Sequence, residues 1–212
     1  MTGYLTRLAP VGLLGLLLSG CASMDIAECQ TADWETIGYQ DGADGRPSGD
    51  ISRHRKACAR HGVTPILASY IEGWTAGVER YCVPQNGFAA GSAGRSYAGV
   101  CPADVEEDFL IAFSDGKQLN VLKTNVQQIS YRISRDQDHI TRILKSIKNK
   151  EAKLISPDGT AEERARLLSE LRDLSEEKGQ LEKSILDLEY EHGRAEVELE
   201  HYRSDIALQY GL

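Results

Sequence analysis

The sequence has no excess of basic residues: 24 Lys and Arg stand against 32 Asp and Glu in 212 residues, a net charge of −8. A nucleic-acid binder needs a basic face to neutralise phosphates, so that class is excluded. The same balance argues against attachment to anionic lipid through a polybasic patch. No apolar run reaches the roughly 20 residues that a membrane-spanning helix requires. Catalytic signatures are missing too. There is no Gly-x-Ser-x-Gly elbow, no His-Glu-x-x-His, no phosphate-cradling Lys-Ser or Lys-Thr loop, and no recognisable acid pair. The sequence therefore nominates no catalytic residue, no metal ligand and no cofactor. Five cysteines are too few for a miniature disulfide scaffold, and their odd number asks for an explanation.

What is present begins with an address. Arg7 is followed by the apolar run Leu8 to Leu18, about half the length of a spanning helix, so residues 1–20 read as a signal peptide. The next residues, Leu18-Ser19-Gly20-Cys21, resemble a bacterial lipobox. That resemblance implies diacylglycerol transfer to the Cys21 sulfur, cleavage before it, and acylation of the new amino terminus. Two or more acyl chains anchor stably, so the expected membrane partner is reached through lipid, with residues 21–30 as the lipidated linker. Ala22, rather than Asp, follows the cysteine, which favours the outer membrane, facing the periplasm.

With Cys21 lipidated, Cys29, Cys58, Cys82 and Cys101 remain, an even set in an oxidising compartment. Two disulfides are expected. Of the three connectivities, closure of the glycine-rich loop between them favours Cys82 with Cys101, leaving Cys29 with Cys58; sequence alone does not decide.

The chain changes character at Cys101. Residues 21–101 hold eleven of the twenty glycines and have a net charge of −2, whereas residues 102–212 hold five glycines, no cysteine and a net charge of −7. The first part contains a weak repeat. Trp34 to Gly42, Tyr70 to Gly77 and Phe109 to Gly116 share aromatic residues and small residues at helical spacing. Three short, closely packed helices are expected, the second starting at Thr64-Pro65. Ser52 to Gly62 reads as a basic helix carrying His54, Cys58 and His61 on one face, but without a fourth ligand this is no metal site. Residues 86–101 hold four glycines with Phe88 and Tyr97, which predicts a short hairpin or compact loop.

In combination, Asp33-Trp34, Gly38-Tyr39-Gln40-Asp41-Gly42, Tyr81-Cys82, Gly87-Phe88, Gly99-Val100-Cys101-Pro102 and Phe113-x-Asp115-Gly116 resemble the domain-of-unknown-function family 2799, Gram-negative lipoproteins. The resemblance spans about residues 29–120. It implies location and domain identity, and it supplies no catalytic residue. Position 76 is Ala where the other two repeats have Asp, so a common role for that Asp in all three repeats does not carry over.

Beyond Pro102 the apolar residues fall into alternating spacings of three and four, from Val105 to Leu154 and again from Leu167 to Ile206. Ser156-Pro157-Asp158-Gly159 interrupts them with turn chemistry. An antiparallel coiled-coil hairpin over residues 102–212 follows, turning at 156–160. Its register can be computed: 143 faces 174, 136 faces 181, 129 faces 188 and 122 faces 195, each pair adding to the same value. Extended towards the open end, the register sets Tyr202 over Gly116. Polar residues interrupt the core, and Asp136 is expected to pair with Lys178. Gly179 and Gly193 are candidates for a bend.

The expected protein is mainly α, with a small disulfide-bonded glycine- and aromatic-rich domain over residues 31–116 followed by the hairpin. Its expected role is non-enzymatic: a lipid-anchored envelope protein that projects the hairpin into the periplasm to reach a protein partner. The alternative is a binding or enzymatic domain for a wall glycan or small envelope metabolite. Asp41, Arg95 and Asp115 are its candidate ligand-binding residues, with His54 and His61 as further polar groups.

Overall fold

The computed structural model describes residues 24–210, so Cys21 and its lipidation lie outside the described residues. Among the described residues there are seven α-helices and no strand. They are α1 (Ile26–Thr31), α2 (Trp34–Ala43), α3 (Ile51–Ala59), α4 (Leu67–Tyr81), α5 (Pro84–Ser92), α6 (Ala103–Leu154) and α7 (Ala161–Tyr210).

Local chemistry sets most of the helix starts. Asp25 and Glu28 form a capping box on α1, and the Asp33 carboxylate accepts from the N–H groups of Glu35 and Thr36 to start α2. Pro84 occupies the first turn of α5, where its missing N–H has no cost. The second repeat starts two residues later than expected: Ile66 is the N-cap of α4, and Thr64-Pro65 belong to the approach. Gly45 and Gly62 lie just past the ends of α2 and α3 at φ +71°, a left-handed conformation that costs a glycine little.

Two helix pairs make the base of the molecule. Helices α2 and α4 cross at glycines on both sides: Gly38 and Gly42 face the backbone of Tyr70 and Trp74, while Gly73 and Gly77 face that of Glu35 and Tyr39. Helices α5 and α6 repeat the arrangement. Gly87 and Gly91 of α5 lie against the Phe109 and Phe113 carbonyls, and Gly116 of α6 lies against that of Phe88. Both pairs use small residues four apart, so the backbones touch directly and the aromatics fill the flanks. The expected close packing of the three repeats is therefore right in principle. The partner of the third repeat is α5, inside the segment expected to be a hairpin or loop. Only residues 93–101 of that segment form a loop, and no strand is present among the described residues.

Disulfides join Cys29 to Cys58 and Cys82 to Cys101, the first tying α1 to α3 and the second tying the end of α4 to the loop before α6. Inside that loop, Tyr97 donates its hydroxyl to Glu106 at 2.8 Å and accepts from the Cys101 N–H at 2.9 Å. Tyr81, Tyr97, Phe109 and Phe113 pack their rings beneath it.

Helices α6 and α7 run antiparallel, joined by residues 155–160. At about 1.5 Å per residue their 52 and 50 residues extend roughly 75–80 Å. Thr160 and Glu163 form a capping box at the start of α7, and Arg164 donates to the Ser156 carbonyl to hold the turn. Ile129 and Leu188 come together as the register computed from the sequence requires, and so do Leu119 and Leu199. Ile129, Leu188 and Ala195 share one cluster, and Ala112, Leu119, Leu122, Leu199 and Ile206 share another with Phe88. Tyr202 donates to the Asp115 carbonyl, one residue from the expected Gly116. Near the tip Lys150 bonds Glu170 across the hairpin and lowers the pKa of its carboxyl.

The expected pair of Asp136 and Lys178 does not form. Asp136 is buried and takes Arg135 at 2.7 Å, while Lys178 takes Glu182 at 2.7 Å, one turn along its own helix. A lysine at the core margin reaches a nearby surface carboxylate without entering the interface, which avoids desolvating its ammonium. Helix α7 runs unbroken through Gly179 and Gly193.

Candidate functional sites

The most polar part of the base is centred on Asp41. The glycine contacts of α2 and α4 bring Tyr70 above it, and the Cys29–Cys58 bond anchors the helix that supplies His54. The Tyr70 hydroxyl donates to Asp41 Oδ2 at 2.9 Å, and His54 Nε2 lies 2.9 Å from the same oxygen. Arg46 approaches Oδ1 at 3.5 Å. Asp41 is 6% exposed, and these hydrogen-bond partners offset the cost of burying its polar oxygens. Burial, reinforced by the Asp41 bond, pushes the Tyr70 phenol above the ordinary tyrosine range, so it remains a donor. The Trp34 ring sits edge-on to His54, and Trp74 donates its indole N–H to the Arg46 carbonyl at 2.7 Å.

Asp115 is the counterpart in the second pair. Its Oδ2 accepts the Tyr210 hydroxyl at 2.6 Å, and the Tyr210 ring stacks on Phe88 with centroids 4.8 Å apart. Together with the Tyr202 bond, this fastens the last turns of α7 to the base. Burial and Asp115 raise the Tyr210 phenol as well. Asp41 and Asp115 thus do the same work: each directly precedes a packing glycine and receives a tyrosine hydroxyl from another helix. Neither is a helix cap. Arg95 is exposed in the loop after α5, and its positive charge counteracts part of the rise that burial imposes on Tyr81.

These residues do not converge. Asp41 and His54 meet in the α2–α4 pair, Asp115 belongs to the α5–α6 pair, and Arg95 stands apart from both. His61, past the end of α3, joins neither group. The Asp41 cluster was hidden from sequence reasoning because Arg46 and Tyr70 come from separate segments. Asp-Gly at the equivalent place in two repeats was the signal that a shared role existed.

One constellation on the hairpin has the connectivity of a hydrolytic relay. Ser130 Oγ lies 2.7 Å from His192 Nε2, and His192 Nδ1 lies 3.4 Å from Glu196. All three are in helix interiors, where backbone N–H groups bond the carbonyl four residues earlier. No backbone donor is left to stabilise an oxyanion there, as acyl transfer requires. Among the described residues no group of three or more His, Cys, Asp or Glu side chains is arranged to hold a metal ion.

The hairpin surface offers a different feature. Leu186, Tyr190 and Val197 of α7 are 66%, 70% and 71% exposed. At the tip Ile155 and Leu168 are exposed as well.

The architecture is an all-α base of two glycine-packed helix pairs, cross-linked by disulfides and continued into a long helical hairpin. Residues 33–118, which run from the N-cap of α2 through the glycine contacts of α6, match the model of the family described as protein of unknown function (DUF2799). No curated protein and no solved structure matches the chain.

Proposed function

We propose that this is a non-enzymatic, lipid-anchored cell-envelope protein whose helical hairpin is an arm for contact with a protein partner. The observation that carries the reading is the row of exposed apolar side chains on α7, with Tyr190 and Val197 both about 70% exposed among the described residues. Large side chains in register on an otherwise charged helix suit the groove of a facing helix. The base then serves as a rigid foot: its glycine contacts and disulfides fix the arm's root, and Asp115 fastens α7 to it.

Anchoring rests on the lipobox-like Leu18-Ser19-Gly20-Cys21. No described helix is long and apolar enough to cross a membrane. A role in binding or transforming a wall glycan or small metabolite has less support, because Asp41 and Asp115 are already occupied by internal donors.

Two measurements test the proposal. Palmitate labelling should mark the wild-type chain and be lost in Cys21→Ala. A photo-crosslinker at Tyr190 or Val197 should capture a protein in cells, and one at exposed Glu72 of the base should not. Capture from Glu72 alone would turn the reading towards the base domain.

A further inference from the structure

We propose that the outer face of α7 takes α7 of a second copy of this chain, in antiparallel orientation; this rests on the reading of the hairpin as an interaction arm. The face consists of Lys183, Leu186, Tyr190, Gly193, Val197 and Glu200, alternating in steps of three and four, and all six are exposed. Each follows by one or two positions a residue that is buried against α6 or lies at its margin. At about 100° per residue the face therefore points away from α6.

The sequence of this face is complementary to its own reverse. A two-fold axis passing between Glu191 and His192 brings together positions whose numbers share one sum. Leu186 then meets Val197, Tyr190 meets Gly193, and Lys183 meets Glu200, each pairing occurring twice by symmetry. Further out, Gly179 meets Ser204. Size and charge are matched in the three central layers: aliphatic on aliphatic, a large ring over a bare backbone, a cation on an anion. A Cβ on Gly193 would have no atom within 4 Å, so the space a tyrosine ring needs is open.

Flanking charges support the same orientation on balance. Flanking residues sit beside the layers and meet like-placed residues two positions out of step with them. Asp187 therefore comes beside Arg194 and Glu182 beside Arg203, both attractive, whereas Glu189 comes beside Glu196. Parallel pairing does worse. It would put Lys183 on Lys183, Glu200 on Glu200, and leave Gly193 opposite Gly193 with nothing to fill the layer.

The overlap is also long enough. Antiparallel pairing about this axis aligns residues 173–210 of both copies, roughly 57 Å of helix at 1.5 Å per residue, which suits an interface of standard size. A geometric consequence follows for copies anchored in one leaflet. Their two-fold axis must run along the membrane normal, and helices crossing it at right angles lie in the membrane plane. Paired arms therefore run along the membrane surface.

Charge exchange gives the test. Sedimentation of the full mature chain, with Cys21→Ser in place of the lipid, should show a concentration-dependent dimer. Lys183→Glu alone, and Glu200→Lys alone, should each weaken it about tenfold or more, since two pairings turn repulsive. The double exchange should restore the dimer. An equimolar mixture of the two single variants should form it as well, because every 183–200 pairing is then attractive again. All of these substitutions are on exposed positions, and circular dichroism should report unchanged folding.

In cells, a chain with Tyr190→Cys should cross-link to a chain with Gly193→Cys, and Tyr190→Cys should not cross-link to itself. A wild-type chain that stays monomeric, or a double exchange without recovery, overturns the self-association. Capture of a different protein at Tyr190 with no homodimer would overturn it too, yet leave the arm reading intact. Absence of any capture would count against both.

Discussion

Gly38 of α2 lies directly on the carbonyl of Tyr70 in α4: a Cβ at Gly38 would stand 2.0 Å from that oxygen. Gly73 returns the contact, since its Cβ would stand 1.9 Å from the Glu35 carbonyl oxygen. Neither obstacle is a flexible side-chain end. Each is main chain already committed to helix, so even a methyl group forces the helices apart.

Alanine at Gly38 or Gly73 should therefore destabilise the base by about 3 kcal/mol or more, at the upper end of overpacking effects. Gly49→Ala is the control, because no atom lies within 4 Å of a Cβ there. Urea unfolding followed by the far-ultraviolet signal checks the pair. Equal stabilities for Gly38→Ala and Gly49→Ala would mean that the helices do not meet as described.

That contact also shows which parts of the fold the sequence revealed. The hairpin was readable because its information is periodic and local, and a constant sum of facing positions gave the register. Helix α5 was not. Glycine disfavours isolated helix, and Gly87, Gly91, Gly94 and Gly99 together suggested a loop. Packing against α6 reverses that preference, and the spacing of Gly87 to Gly91, the same as Gly38 to Gly42 and Gly73 to Gly77, was the available clue. The Asp41 cluster is a different case. Its partners are joined by tertiary structure, and nothing in their spacing shows that a histidine on a basic helix turns inward.

The phenol of Tyr70 predicts a pH response. Its folded pKa is raised by burial first and by the Asp41 bond second, above an unfolded value of about 10. The stabilisation it brings is complete below about pH 10 and declines as the pH rises beyond it, where the unfolded chain releases a proton that the folded chain retains. Tyr70→Phe should lower stability at neutral pH by about 1.5–3 kcal/mol, the range for hydrogen bonds to charged groups. It should also make the loss above pH 10 shallower. Tyr210, Tyr81, Tyr97 and Tyr202 shift in the same direction, so part of the slope remains. Chemical denaturation at a series of alkaline pH values measures both effects.

The disulfides predict a ranked loss. They close loops with sequence separations of 29 and 19 residues, which chain-entropy arguments convert to about 3.5 and 3 kcal/mol. Cys29→Ser with Cys58→Ser should therefore cost somewhat more than Cys82→Ser with Cys101→Ser. The first change also frees α3, and with it His54, from α1. Thermal unfolding of the two double variants gives the order. The hairpin tip, remote from both bridges, should keep its helical signal in each.

The glycines inside α7 predict the opposite sign. Gly179 and Gly193 lie in the helix interior, and a Cβ at either would meet nothing within 4 Å, so the described residues supply no packing reason for them. Alanine at each should stabilise the monomeric hairpin by about 1 kcal/mol through helix propensity alone. The two differ in what they do to self-association. Gly193 is opposite Tyr190 of a second copy and close to the two-fold axis, where a methyl group lifts the ring away twice. Gly179 is opposite Ser204, near the end of the overlap. Gly193→Ala should therefore raise the unfolding midpoint and weaken the dimer, while Gly179→Ala should raise the midpoint and leave the dimer almost unchanged. Stabilisation by both substitutions with no difference in dimerisation would remove the reason offered here for Gly193. A helix that retains glycine at a position where alanine is better for the monomer is answering to something outside the monomer, and the backbone exposed at Gly193 is the place to look for it.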